Sequence, residues 1–377
     1  MDSFHIMAKP VGAECNLSCS YCFYKGKGNT QKLEVMSDEV LRIFIEKYIK
    51  ENSGEVNFAW QGGEPLLAGI DFYKKAISLQ KNFSDRKIAN AMQTNATLIT
   101  DEWCEFFKSE DFLLGISIDG SKEIHNANRD ASYSSAIRGL ELCKKHKVEF
   151  NILCTVNSKN MNNPKGLYRF LKDTGAKHIQ FIPIIERLEN GSIARPLDLE
   201  YNAHSGNLAD FSVLTDSYGD FLIEIFKDWI KKDFGRFFIQ NFDALINKKL
   251  FGINCVCAHT KECGRFLALE KNGDVYSCDH YVFKENFLGN IFYKSFKEIL
   301  IDSKQKSFGE QKFSRLSKKC LECKFLEYCY GDCPKNRTVL QKDDYPLSAL
   351  CDSLEKFYSY ALPQLEPIIK NLKAKDI

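Results

Sequence analysis

Six short apolar runs alternate with helix-patterned segments between residues 4 and 186, and this alternation restricts the first half of the chain to an α/β architecture. The runs are Phe4–Lys9, Val56–Trp60, Ile88–Gln93, Leu113–Ile118, Val148–Val156 and His178–Ile184. Between them Ser37-Asp38-Glu39 leads into an apolar-periodic stretch, and Thr100-Asp101-Glu102 does the same. Each pairs an N-cap hydroxyl with an acidic first turn, which favours a helix start. Six such units predict a parallel sheet that closes partway into a barrel, a partial (β/α)6 barrel, with reactive groups on the loops after the strand C-termini. At 377 residues and 44% hydrophobic content, the chain is long enough for that barrel and a smaller appendage.

Charge narrows the partners. Lys and Arg number 52 against 50 Asp and Glu, and a net charge of +2 gives no basic footprint for a nucleic acid or an anionic membrane. No stretch approaches the roughly 18 apolar residues of a membrane span, and the N-terminus lacks a secretory pattern, so a cytoplasmic protein is expected. Fifteen cysteines in a reducing compartment point to metal ligation rather than disulfides, and the odd number argues the same way.

The cysteines begin just after the first run, as Cys15-x3-Cys19-x2-Cys22. Three thiolates supply one ligand fewer than a four-iron cluster wants, which leaves one iron open to another molecule. Short Cys spacings also occur in zinc knuckles and redox pairs. With Phe23 and Tyr24 after the third Cys, the segment resembles the signature of the radical S-adenosylmethionine (SAM) enzymes. That resemblance implies that SAM chelates the open iron.

Gln61-Gly62-Gly63-Glu64-Pro65 follows the second run and resembles the family's GGE motif for the SAM amino group. Glycines let a backbone approach closely, and a carboxylate can hold an ammonium; otherwise the segment is a turn before a helix. Asn95 ends the third run and Ser117-Ile118-Asp119-Gly120 the fourth, where the family places SAM contacts. Arg138 follows in a helix pattern, and its guanidinium suits the SAM carboxylate; the alternatives are strand-terminating residues and a solvated arginine.

Residues 187–215 read as a long loop or small insert, followed by an amphipathic helix near Asp216–Lys232. The tail Leu354–Ile377 reads as a closing helix interrupted at Pro363. A division into a barrel over 1–235 and a Cys-rich domain over 236–377 is expected. Its pattern, Cys257, Cys263-x9-Gly273-x4-Cys278, Cys320-x2-Cys323-x5-Cys329-x3-Cys333 and Cys351, resembles the SPASM domain of protein-modifying radical SAM enzymes. That resemblance implies two auxiliary four-iron clusters, one on Cys257, Cys263, Cys278 and Cys333 and one on Cys320, Cys323, Cys329 and Cys351. Two four-cysteine zinc sites fit the same spacings, and Cys255 is a near-duplicate of Cys257. Cys104, Cys143 and Cys154 sit in apolar patterns and read as core.

Within the SPASM group, Tyr276-Ser277-Cys278-Asp279-His280-Tyr281-Val282 and Gln240-Asn241-Phe242-Asp243 resemble the anaerobic sulfatase-maturating enzymes over essentially the whole chain. The resemblance implies SAM and three [4Fe–4S] clusters as cofactors and Asp279 as catalytic base. Tyr24 and Gln61 become substrate contacts, and His280 either tunes the acid or lies at the surface. It also implies an unfolded or nascent sulfatase polypeptide as substrate, its Cys or Ser oxidised to Cα-formylglycine, and a reductant such as flavodoxin or ferredoxin. The choice of Cys or Ser stays open. The competing readings are a SPASM enzyme that crosslinks a peptide through a thioether or carbon–carbon bond, and a zinc scaffold. An early Cys15 leaves little room for the N-terminal recognition domain of many crosslinking enzymes.

Overall fold

The computed structural model describes residues 4–25, 27, 34–196 and 207–374. It forms two compact units, each gathered from separate stretches of chain: residues 1–118, 128–151 and 264–309 in the first, and 119–127, 152–263 and 310–377 in the second.

The first unit carries β1 (His5–Lys9), β2 (Val56–Trp60), β3 (Ile88–Thr94) and β4 (Leu113–Ser117), which pair in parallel in sequence order. Their inward residues, among them Ile6, Phe58, Trp60, Met92 and Leu114, are buried and join Phe44 and Tyr48 of the helix Asp38–Glu51 in an aromatic core. Ser37 accepts from the Val40 amide at 3.3 Å and Thr100 from the Trp103 amide at 3.3 Å, so both expected caps are formed.

In the second unit, β5 (Phe150–Val156) and β6 (His178–Pro183) pair in parallel from Ile152 onward. Residues 187–196 hold a tight hairpin of β7 (Leu188–Glu189) and β8 (Ser192–Ile193) rather than a plain loop. Asn190 (φ 50°) and Gly191 (φ 77°) are both left-handed, as the turn between such twisted strands requires. Residues 197–206 of the expected insert lie outside the described residues. A two-residue strand, β9 (Phe238–Ile239), then adds parallel to β6.

Back in the first unit, three strands fall within the Cys-rich part of the chain: β10 (Phe266–Glu270), β11 (Asp274–Tyr276) and β12 (Phe287–Asn290). Strand β10 pairs in parallel with β1 over five residues, His5 to Phe266 through Lys9 to Glu270, while β11 and β12 follow antiparallel. The sequence gives β1 one neighbour, β2; the fold gives it a second from a segment some 260 residues away.

The closing helix differs from expectation. It runs unbroken from Cys351 to Lys373 and contains both Pro363 and Pro367. Both prolines lie on its exposed side, while Leu354, Phe357, Tyr358, Ala361, Leu365 and Ile369 bury the other. The backbone carbonyls freed by the missing N–H groups can turn to water there, and the packed face holds the helix together. The amphipathic helix of the same unit spans Tyr218–Asp228 and ends in a π-turn, Trp229–Asp233. Among the described residues, no helix is long and apolar enough to cross a membrane.

Candidate active site

Pairing β10 with β1 assembles one side of the site. The two strands end side by side at Glu270 and Lys9, the triad follows Lys9, and β11 leads into Cys278 and Asp279. Lys9 is 1% exposed; its ammonium lies 3.9 Å from the Asp279 carboxylate and 4.6 Å from the centre of the Tyr24 ring. Burial pushes the Lys9 pKa down, and Asp279, Glu270, Cys278 and Cys22, in that order, pull it back. Tyr24 donates its hydroxyl to Glu270, itself raised by burial. The buried Tyr24 therefore enters the site as a partner of Glu270 beneath the triad loop.

Asp279 is the acceptor around which the cations gather. Burial alone would raise its carboxyl, but His280, Lys9, the Cys278 thiol at 3.4 Å and Lys27 outweigh it and hold the pKa below the ordinary value. Lys27 also donates to the carbonyls of Asp279 and His280 at 3.1 and 2.9 Å, and the His280 ring lies 4.3 Å from that of Phe23, between Cys22 and Tyr24. The segment carrying Asp279 is thus tied to the triad segment by hydrogen bonds, charge and ring contact.

On the other side, residues 61–64 are tied to the chain just ahead of Cys15. Gly63 donates to the Gly12 carbonyl and Glu64 to the Glu14 carbonyl, both at 2.8 Å, and Gln61 to Ala8 at 2.9 Å. A Cβ on Gly63 would stand 1.8 Å from the Glu14 carbonyl oxygen, and one on Gly62 (φ 129°) 2.6 Å from that of Gly12. The close approach demanded of these glycines is to the triad loop's own backbone. The Glu64 side chain is buried and accepts from the Leu66 amide (3.1 Å), the Thr94 hydroxyl (2.8 Å) and the Asn95 amide (2.8 Å). Burial raises its pKa to about 7 against these hydrogen bonds.

Asn95 in turn directs its side-chain amide at Cys15 Sγ (3.8 Å) and Asn16 (2.9 Å). Gly139 seats its helix against this loop, where a Cβ would meet the Ala96 carbonyl at 2.1 Å, and neighbouring Arg138 donates to the Thr97 carbonyl at 2.7 Å. Ser117 is buried at the end of β4. The structure thus gathers Cys15, Asn95, Glu64 and Arg138 around one loop. Asp119, in the second unit, accepts from the Thr155 amide at 3.0 Å, a strand-end role.

The second unit holds two groups of cysteines. Cys320, Cys323, Cys329 and Cys351 all line one cavity of about 640 Å³, together with Phe325, Leu354 and Tyr358. Elsewhere Lys312, fully buried, donates to the carbonyls of Cys257 and Ala258 at 2.9 and 2.8 Å. Burial lowers its pKa, opposed by Cys263, Cys333, Asp332 and Cys257. Burial likewise raises Cys263 to about 11 and Cys333 to about 12, and Lys312 pulls Cys263 back down. Cys257 therefore groups with Cys263 and Cys333, while Cys255 accepts from Asn247 at 3.8 Å. Cys278 belongs to the first unit. None of the fifteen cysteines is in a disulfide, and Cys104, Cys143 and Cys154 are buried.

Comparison with known proteins decides the family. Residues 10–171 match the Radical SAM superfamily, and residues 257–324 match the SPASM iron–sulfur cluster-binding domain. A serine-type anaerobic sulfatase-maturating enzyme of Bacteroides thetaiotaomicron is 42% identical over 98% of this chain and 92% of its own length. A cysteine-type enzyme of the same name from Clostridium perfringens is 35% identical, over 99% of this chain and 100% of its own length. The chain belongs to the anaerobic sulfatase-maturating enzyme family. The solved structure of native anSMEcpe with bound AdoMet and Cp18Cys peptide, 34% identical, superposes with a TM-score of 0.85 over 98% of this chain and 99% of that one. Streptococcus suis SuiB bound to S-adenosylmethionine, 14% identical with a TM-score of 0.65 over 93% of this chain and 77% of its own, shares the fold.

The fold is accordingly the radical SAM α/β barrel type joined to a SPASM domain, and SAM and iron–sulfur clusters are the cofactors of this oxidoreductase family. The residues present fit such groups. Four cysteines line a single cavity, and their soft thiol donors are the type a cluster takes. Beside Cys257, Cys263 and Cys333 lie two buried cations, Lys312 and Arg337, suited to the negative charge of thiolates.

Sequence reasoning missed Lys9, Glu270, Lys27, Lys312 and Arg337. For Lys9 there was a signal: it is a cation closing a mostly apolar run whose alternate residues Phe4, Ile6 and Ala8 are buried. For the rest there was none, because a lone Lys, Arg or Glu between cysteines has the pattern of a solvated residue.

Proposed function

We propose that this chain oxidises a Cys or Ser side chain in a sulfatase polypeptide to Cα-formylglycine. The observation that carries the reading is the grouping of Asp279, a carboxylate held ionised by His280, Lys9 and Lys27, with the triad loop in one unit of a sulfatase-maturating family member. Cys15, Cys19 and Cys22 would hold a four-iron cluster, leaving its fourth iron to SAM. Gly62, Gly63, Glu64, Asn95, Ser117 and Arg138 form the SAM cradle in this reading. Glu64 acts from behind, because its oxygens already hold Thr94 and the Leu66 and Asn95 amides.

Reductive cleavage of SAM supplies a 5′-deoxyadenosyl radical that removes a hydrogen atom from the substrate Cβ. In this reading Asp279 takes the thiol or hydroxyl proton, and an auxiliary cluster, when bound, would accept the remaining electron, leaving the thioaldehyde or aldehyde. The thioaldehyde hydrolyses to the aldehyde with loss of sulfide. Lys9 holds the carboxylate in place from one side and Lys27 holds the adjacent backbone from the other. In this reading Tyr24 and Gln61 are the substrate contacts, Tyr24 from its buried place against Glu270. Cys257, Cys263 and Cys333 would hold one auxiliary cluster, with Cys278 as the further ligand that the family resemblance implies, and Cys320, Cys323, Cys329 and Cys351 would hold the other. In this division the radical-forming part is 1–235 and the auxiliary-cluster part 236–377, and an external one-electron donor such as flavodoxin or ferredoxin feeds the triad.

Anaerobically reconstituted protein should contain about 12 Fe per chain, three clusters of four. With SAM and a reductant it should release 5′-deoxyadenosine and convert the target Cys or Ser of a sulfatase-motif peptide to formylglycine, read by mass spectrometry. An intact cluster set with an unchanged peptide would count against sulfatase maturation, and a crosslinked peptide would favour the thioether or carbon–carbon reading. Zinc without iron would remove the radical chemistry altogether.

A further inference from the structure

Tyr358 is buried, and its hydroxyl has no hydrogen-bond partner. Buried polar groups are nearly always paired, so an orphaned hydroxyl marks a place where a partner is missing from the protein part alone. Tyr358 lines the cavity shared by Cys320, Cys323, Cys329 and Cys351.

Its position on the helix explains why it faces that cavity. Cys351, Leu354, Glu355 and Tyr358 all line it, and they stand at i, i+3, i+4 and i+7 of the helix Cys351–Lys373, one continuous stripe. Rings of Phe325, Tyr328 and Phe357 pack around Tyr358 with centroids 5.8, 6.0 and 5.8 Å away, which holds its ring in place. Burial, with Cys329, Asp332, Tyr218 and Cys323 around it, pushes its ionisation well above the usual phenol range. A phenol carries its proton at neutral pH and can donate it in a hydrogen bond. Asp332, the nearby carboxylate, is already engaged by Asn336 and Ser348, each at 2.8 Å.

We propose that the Tyr358 hydroxyl donates a hydrogen bond to a sulfur of the cluster held by Cys320, Cys323, Cys329 and Cys351 and raises the reduction potential of that cluster. The inference rests on the cluster assignment made above and adds a positioning and tuning residue to it. One-electron reduction places added negative charge on the cluster sulfurs, and a donor aimed at them stabilises the reduced form. In the reaction proposed, the electron comes from the substrate and its proton goes to Asp279. A higher potential makes the cluster a better acceptor for that electron.

The test uses the full-length, iron-reconstituted chain with Cys15, Cys19 and Cys22 changed to Ala, so that the auxiliary clusters alone contribute. In Tyr358→Phe, which keeps the packed ring, iron should stay at about 8 Fe per chain. One auxiliary midpoint in an EPR-monitored redox titration should move to lower potential while the other stays. The deuterium sensitivity of the Fe–S stretching bands in the resonance Raman spectrum should fall as well. Unchanged midpoints and bands at full iron content would overturn the inference. If Cys320→Ala lost no iron, the cluster assignment itself would fall, and the role of Tyr358 with it.

Discussion

Asp279→Asn should retain its iron and bind SAM, yet form formylglycine about 10²–10⁴-fold more slowly, the usual contribution of a positioned general base. The amide keeps the size of the side chain and an oxygen for Lys9, 3.9 Å away in the parent, but it has no site for the substrate proton. In the reading proposed, SAM cleavage belongs to the triad and not to Asp279, so 5′-deoxyadenosine should still form and should exceed the peptide product. The ratio of the two, measured by liquid chromatography with mass detection, separates a lost base from a damaged site. Full turnover in this variant would remove Asp279 from that role.

A methyl group at Gly63 should be as damaging by a different route. Its Cβ would fall 1.8 Å from the Glu14 carbonyl oxygen and 2.4 Å from the carbon, and backbone cannot step aside as a side chain can. Gly63→Ala should therefore push residues 61–64 away from 12–14 and displace Cys15. We expect iron to fall from about 12 to about 8 per chain, with only the triad cluster lost and SAM cleavage abolished. Gly54→Ala is the control: nothing lies within 4 Å of its Cβ, so only its positive φ of 70° is charged, about 1–2 kcal/mol, and activity should survive. Normal triad iron in Gly63→Ala would show that the loop contact does not position the cluster site.

The six parallel strands were legible because buried parallel strands are continuous apolar runs, and the structure places each within two residues of its expected limits. Strands β10 to β12 were not. Phe266–Glu270 is a five-residue run among cysteines, and nothing local says that its partner is β1. Glu270 and Lys9 meet only through that long-range pairing, so neither looked functional alone. Pro363 misled because the residue type signals a break, whereas its exposure, which decides the matter, is a tertiary property. The Asn190-Gly191 hairpin was readable, but its strands are two residues each and the polar surroundings masked it. The grouping of Cys320, Cys323, Cys329 and Cys351 came from family resemblance, and the structure puts all four around one cavity. The Tyr358 hydroxyl beside them was invisible, since a tyrosine in an amphipathic helix looks like core.

The central claim, that this chain draws a hydrogen atom from the Cβ of a sulfatase Cys or Ser, is tested most directly with a peptide deuterated at that carbon. Incubated anaerobically with SAM, reductant and the reconstituted protein, it should deliver one deuterium into 5′-deoxyadenosine for each formylglycine formed. Formylglycine accompanied by unlabelled 5′-deoxyadenosine, or deuterium transfer that ends in a crosslinked peptide, would contradict the account.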